Sequence, residues 1–230
     1  MHYERNAFSV VTQNASFDKE IWNIMAESGE YKKLDRGSIV FSKEKPNNGI
    51  VCLKKGKVKI SSILRNGKEK IFGIMVAPSV FGETETFDGG PRMVTATALT
   101  TVEVNYIFLP EAKQLIESNS EIAIFLFKAL GLKLRWTTLQ VEDLSQFNKI
   151  PYRLAALLLD FKKYGVFTDH NDNNCLLITH DELANCINTT RPRVTTLLKR
   201  FAASGMLETK RGQIRILNSG AIQRYIESFE

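Results

Sequence analysis

At Pro110 the hydrophobic rhythm of this chain changes, and the change limits the folds open to it. From residue 30 to 108, apolar residues come in short or alternating runs separated by turn formers. From Pro110 to about Asn148 they recur at helical spacing, so a run of strands precedes helices and the chain reads as α+β. Ser38–Phe41 follows Arg36-Gly37, Ile50–Leu53 follows Pro46-Asn47-Asn48-Gly49, and Val58–Leu64 follows Lys55-Gly56. Asn66-Gly67 is the strongest hairpin signal, because both residues tolerate the positive φ of a tight turn. Ile71–Val76 and Val94–Phe108 are predicted as further strands. Many short strands at this spacing fit a sandwich or a barrel. A short helix precedes them, with Ser16 as its predicted N-cap and Gly29 beyond its end.

The helical part opens with a short helix, Glu111–Glu117, behind Pro110, then a long one over about Ser120–Phe147. Ala123, Phe127, Leu130, Leu134, Thr137, Val141 and Leu144 step by alternating fours and threes, the seam of a two-stranded coiled coil. Phe125, Ala129, Leu132, Trp136 and Leu139 keep the same rhythm two residues out of step, about 200° around the helix. Such a helix can pack one face on its own domain and the other on a second copy. Alternatively, both faces are buried within a monomer. Asn148-Lys149-Ile150-Pro151 interrupts the pattern and is the expected boundary and hinge. A striped helix over 152–164 ends at Gly165, and a turn-rich stretch, 168–174, lies between short strands.

The next segment is the most specific. Thr179-His180-Asp181-Glu182 is a capping box, opening a short helix with Leu183, Ala184 and Ile187 on its apolar face. A turn at Asn188-Thr189 leads to Thr190, a second predicted N-cap, and to a helix from Arg191 that stops at Gly205. Val194, Leu197, Leu198 and Phe201 make its buried face, while Arg191, Arg193, Thr196, Lys199 and Arg200 point elsewhere. Leu207–Leu217 alternates around Lys210-Arg211-Gly212-Gln213, a basic-tipped hairpin. Two short helices with this turn, followed by a wing, form a helix-turn-helix whose second helix enters the major groove. Seven basic residues and one acid, Glu208, fall between 190 and 215, a net +6 equal to that of all 230 residues. Charge concentrated there is what phosphate contact requires.

The rest of the composition excludes other classes. No apolar run spans a membrane and residues 1–10 lack a signal-peptide core, so a cytoplasmic protein is expected. Cys52, Cys175 and Cys186 are scattered, as reduced thiols are, and His2, His170 and His180 form no ligand motif. No metal site, catalytic constellation or enzyme is expected. Between the strands, Phe81-Gly82-Glu83 precedes Gly89-Gly90-Pro91-Arg92-Met93-Val94-Thr95-Ala96. Glycines baring backbone N–H groups, a carboxylate and an arginine nine residues on could hold a hydroxyl at Glu83 and an anion at Arg92. The same residues could instead close an empty loop through a Glu83–Arg92 salt bridge.

In the order of these parts the chain resembles the CRP/FNR family of bacterial transcription regulators, over about residues 30–217. The resemblance implies a cyclic-nucleotide-binding-type β jelly roll within 1–118, a long dimerisation helix over 119–148 and a winged helix-turn-helix over 149–230. The family's cassette runs F-G-E-L-A-L, then P-R-A-A-T or R-S-A. Carried over, Gly82 and Glu83 would hold a ribose and Arg92 a cyclic phosphate, with Met93 and Thr95 beside it. Thr84 and Glu85 stand where apolar and small residues are usual, and Met93 replaces a small one. These departures weigh against cyclic AMP, and family members use this barrel for other effectors, so the small-molecule effector is unassigned. Thr137-Thr138 matches the pair that reads adenine in cyclic-AMP-responsive members, one residue across the dimer; Thr137 could equally set helix register. The iron–sulfur branch needs an N-terminal cysteine cluster and the haem branch a pocket Cys and His, and this sequence has neither.

In the reading helix, Arg191 matches the first residue of the family's Arg-Glu-(two or three residues)-Arg contacts, while Pro192 and Thr196 replace the other two. The operator should therefore differ from the common half-site. Arg191 is the candidate for guanine, and Arg193, Thr195 and Thr196 for bases or neighbouring phosphate. Thr190, Lys199, Lys210 and Arg211 fit the DNA backbone, and Thr179 completes the set. The expected partners are a palindromic double-stranded operator, a second copy, RNA polymerase and a small-molecule effector, with no cofactor and no membrane. The alternative is a cyclic-nucleotide or small-anion binding module acting through a protein partner.

Overall fold

The structure is a computed structural model that describes residues 11–12, 18–46, 49–145 and 150–229. Thr12–Arg135 make one compact unit, and Trp136–Glu230 belong to the other. Ser16, Phe147, Asn148 and Lys149, and the side chains of Leu139 and Leu144, lie outside the described residues.

In the first unit, α1 (Lys19–Glu27) is capped by Asp18, whose carboxylate accepts from the N–H groups of Glu20 and Ile21. The cap is thus Asp18, not Ser16. A short strand β1 (Val11–Thr12) precedes α1, and eight more follow: β2 (Glu30–Leu34), β3 (Ile39–Phe41), β4 (Ile50–Lys55), β5 (Lys57–Ile63), β6 (Glu69–Val76), β7 (Ser79–Phe81), β8 (Thr95–Ala98) and β9 (Val102–Ile107). They form a five-stranded sheet, β1-β6-β5-β8-β3, and a four-stranded sheet, β2-β9-β4-β7. The described pairings are antiparallel. Val58, Ile60 and Ala96 of one sheet meet Val51, Leu53 and Val104 of the other in a shared core. Alternate residues of β4, Ile50 and Cys52, point the other way into a second core under α1. Buried on both faces, β4 reads as a continuous apolar run rather than an alternating one.

The single strand predicted over Val94–Phe108 is two strands in different sheets. The chain changes sheet at 99–101, where Leu99 N–H donates to Lys57 O at 2.8 Å and Thr100 Oγ1 accepts from Lys57 N at 3.0 Å. Alternation is the same on both sides of the crossing, so periodicity alone could not show the break. The segment between β7 and β8 contains a short helix, α2 (Glu83–Asp88), opened by Gly82 at φ +81° without a side-chain cap. Lacking that cap, it reads as loop.

Then follow α3 (Leu109–Ser118), with Pro110 in its first turn, and the long α4 (Glu121–Ser145). Within the first unit, Ile122, Phe125, Leu126 and Ala129 of α4 pack on Ile21, Val80, Ile107 and Ala112. On the opposite stripe Phe127, Leu134 and Val141 are 67%, 70% and 63% exposed, while Ala123 and Leu130 are half-buried.

The second unit begins its described fold at α5 (Ile150–Lys163), with Pro151 in the first turn. Then come β10 (Cys175–Leu176), α6 (His180–Ile187), α7 (Arg191–Ala203), β11 (Leu207–Lys210), β12 (Gln213–Ile216) and α8 (Ser219–Glu227). The strands form a sheet ordered β10-β12-β11. Helix α8, absent from the sequence expectations, closes the core through Tyr225, edge-on to Phe201 at 5.2 Å and to Phe229 at 5.3 Å.

Candidate functional site

The cassette is built where β7 runs into α2 and the chain returns to β8. Arg92 and Glu83 are each 1% exposed, and their partners differ from those expected. Arg92 does not pair with Glu83. Its Nη1 donates to Gly82 O at 2.8 Å and to Glu85 Oε2 at 3.3 Å, and its Nη2 to Gly49 O at 2.5 Å. Phe41 lies against the guanidinium, 4.2 Å from its ring centroid. Gly82 is required for this approach, since a Cβ there would stand 2.6 Å from Arg92 Nη1. Burial pushes the guanidinium down from its usual range, while Glu85 and then Glu83 hold it up.

Glu83 pairs instead with Lys133 of α4, Oε1 to Nζ at 2.5 Å, and the same ammonium donates to Val80 O at 2.7 Å. Its other oxygen, Oε2, is buried and has no hydrogen-bond partner among the described residues. Burial, with Glu83 nearby, pushes the Cys52 thiol up to about 12. Met93 is exposed and its N–H donates to Glu85 Oε1 at 3.2 Å. Thr95 is half-buried and its hydroxyl accepts from Lys43 N at 3.1 Å. Thr137 and Thr138 are exposed on α4, beyond the boundary of this unit. Gly82, Glu83, Arg92, Met93 and Thr95 therefore lie together in the first unit. Lys133 and Phe41 were missed. Lys133 had a signal: it is a charge four residues after Ala129, on the stripe that packs inward. A cavity of about 550 Å³ lies beside the cassette, lined by Pro46, Gly49, Thr86, Gly90, Pro91 and Phe108 among others.

In the second unit the capping box forms as predicted, with Thr179 Oγ1 accepting from Glu182 N at 3.2 Å and Glu182 Oε2 accepting from Thr179 N at 2.8 Å. Asn188 turns the chain at φ +52°, and α7 buries Val194, Leu197, Leu198 and Phe201. Arg191, Arg193, Thr196, Lys199 and Arg200 are exposed on the rest of α7, as are Lys210 and Arg211 on the wing. Thr190 occupies the N-cap position of α7, but its side chain makes no capping bond. Thr195 turns inward: its hydroxyl lies 2.8 Å from His180 Nδ1 and donates to Arg191 O at 3.0 Å. Thr196 donates to Pro192 O at 3.1 Å while staying exposed. Arg215, counted above with the basic cluster, pairs with Asp172 and lies 3.4 Å from Glu208. Asp172 lies outside the stretch over which charge was summed, so the count overstated the positive charge left to the wing.

A β sandwich carrying such a cassette, followed by a long helix and a winged helix-turn-helix, defines a class of DNA-binding transcription regulators. Residues 31–119 match the family model of the cyclic nucleotide-binding domain, and residues 152–225 that of the Crp-like helix-turn-helix domain. The chain is 30% identical over 194 residues to the CRP-like cAMP-activated global transcriptional regulator of Mycobacterium tuberculosis, covering 82% of this chain and 84% of that one. It is 33% identical over 154 residues to the cAMP-activated global transcriptional regulator CRP of Haemophilus influenzae, covering 66% and 68%. A CRP/FNR-family regulator of Thermus thermophilus shares the fold with a TM-score of 0.70 at 22% identity, over 86% of this chain and 98% of the other. The c-di-GMP-responsive global regulator of Xanthomonas campestris does so with a TM-score of 0.72 at 22% identity, over 86% and 99%. The chain belongs to the CRP/FNR family, whose members are transcription regulators and not enzymes. No described helix is long and apolar enough to cross a membrane.

Proposed function

We propose that the chain is an effector-gated homodimer that reads a two-fold symmetric DNA site. The observation that carries this is the two-faced α4. One stripe is buried in its own unit, while the heptad stripe through Phe127, Leu134 and Val141 stands exposed. Exposed apolar residues at heptad spacing fit a second helix of the same kind. Pairing two copies through α4 would set the spacing of two α7 helices, which must fit half-sites one helical turn apart.

Gly82, Glu83, Arg92, Met93 and Thr95 form the candidate effector seat, with Thr137 and Thr138 as candidate reporters on α4. Two of the relatives named above are cAMP-activated and one is c-di-GMP-responsive; here the effector is a small molecule that shifts the dimer between states of different DNA affinity. Arg191 is the candidate for guanine, and Arg193, Thr195 and Thr196 are candidates for bases or neighbouring phosphate. Thr179, Thr190, Lys199, Lys210 and Arg211 are candidates for phosphate. RNA polymerase is the proposed downstream partner, the cytoplasm the proposed compartment, and 1–118, 119–148 and 149–230 the proposed functional parts.

The test replaces Phe127→Glu and Leu134→Glu together and measures mass by sedimentation and binding to a duplex selected by the native protein from a randomised pool. The expected result is a folded monomer that binds this duplex at least about a hundredfold more weakly, since each half-site is then held alone. A double variant that stays dimeric, or a monomer of native affinity, would sink the reading.

A further inference from the structure

Glu85 distinguishes this cassette. With Oε2 it holds Arg92 Nη1 at 3.3 Å, and with Oε1 it holds the backbone N–H of Met93 at 3.2 Å. A guanidinium N–H and an adjacent main-chain N–H are the kind of donors by which such a loop would grip an anion. One carboxylate of the chain already takes both, and the pair is sealed: Glu85 is 5% exposed and Arg92 1%. Gly82 O and Gly49 O take further guanidinium hydrogens, and Phe41 covers the group. The neighbouring carboxylate, Glu83, is held by Lys133. Glu83, Glu85, Arg92 and Lys133 thus pair off with no net charge. A phosphate arriving here would have to break a buried pair and strand the Glu85 carboxylate, which costs more than a charged hydrogen bond returns.

We propose that Glu85 is a resident ligand of Arg92, an internal carboxylate that fills the anion position of the cassette and excludes cyclic nucleotides from it. The proposal rests on the functional reading above only for the place of the site. It makes Glu85 the specificity-determining residue of the barrel. The effector this chain senses is then one that does not place a phosphate on Arg92.

The experiment is calorimetric titration of the full-length chain, without DNA, using cyclic AMP, cyclic GMP and inorganic phosphate as probes. The native chain is compared with Arg92→Ala, with Glu85→Gly, with Glu85→Gln, and with Glu85→Gly combined with Arg92→Ala. The native chain is expected to give no saturable binding. Glu85→Gly is expected to bind at least one probe saturably, at least about a hundredfold more tightly than the weakest binding the titration of the native chain would detect. That gain corresponds to an internal ligand that leaves the open site about 1% populated. Arg92→Ala should abolish the gain. Glu85→Gln keeps the size of the side chain while removing its charge, and should gain in the same direction if the glycine variant does not fold. Saturable binding of a cyclic nucleotide by the native chain, lost in Arg92→Ala, overturns the proposal without recourse to any Glu85 variant. Folded Glu85 variants that gain no probe overturn it too. Failure of the native chain to bind DNA would count against the proposed function alone, because no DNA enters this titration.

Discussion

Lys133 carries a prediction about stability. Its side chain is 19% exposed and holds a Glu83 side chain that is 1% exposed. Lys133→Ala strands that carboxylate in a dry environment, so the native state should lose about 3 kcal/mol, read as a lower urea midpoint at unchanged slope. Replacing Lys133→Ala and Glu83→Gln together should recover much of the loss, because the uncompensated charge is then gone. A single variant as stable as the native chain would show that the pair contributes nothing. At this scale the sequence revealed residue types but not partners. Glu83 and Arg92 were recognisable as a carboxylate and a cation near each other, yet each pairs with a different residue. Glu85 was visible as a misplaced charge, and only the turn of α2 shows what neutralises it.

Among the elements, the α6–α7 pair is held in part by His180, whose Nδ1 lies 2.8 Å from the Thr195 hydroxyl. Burial pushes this imidazole down from 6.5; Arg191 pushes the same way and Asp181 opposes. A depressed pKa means that the folded state favours the neutral ring. Its contribution is full above 6.5 and is lost as pH falls below that value through the folded pKa. Urea melts at neutral pH and about one unit below the unfolded value should therefore show a steeper loss for the native chain than for His180→Asn. Equal losses would remove His180 from the account. The pair itself was legible from local signals, because a capping box and an apolar i, i+3, i+4 stripe act within one or two turns. The contact between His180 and Thr195 was not, since it depends on the angle at which the two helices meet.

For the whole molecule, the distribution of charge makes the prediction. Lys210 and Arg211 are exposed on the wing, whereas Arg215 is paired with Asp172. Lys210→Ala and Arg211→Ala should each lower the slope of log affinity against log salt by about one, equally for selected and random duplexes. Arg215→Ala should leave that slope nearly unchanged. Arg191→Ala should instead cost about 1–3 kcal/mol on the selected duplex and relax discrimination at one base pair. Binding curves at several salt concentrations separate these outcomes, and an unchanged slope in both wing variants would remove the wing from the interface.

Sequence alone determined the elements whose causes are local: the switch from strands to helices near Pro110, the two stripes of α4, the capping box at Thr179 and the basic second helix. Propensity, periodicity and capping act over a few residues, so they are written in a few residues. Tertiary structure decided what depends on distant segments meeting. It divided Val94–Phe108 between two sheets, because β8 and β9 have different pairing partners. It turned one stripe of α4 inward and left Phe127, Leu134 and Val141 of the other exposed, since only one could reach the core beside β4. It also matched Arg92 to Glu85 and Glu83 to Lys133. Pairing of buried charges follows from which side chains the packed chain brings within hydrogen-bond reach, and spacing along the sequence does not encode that distance.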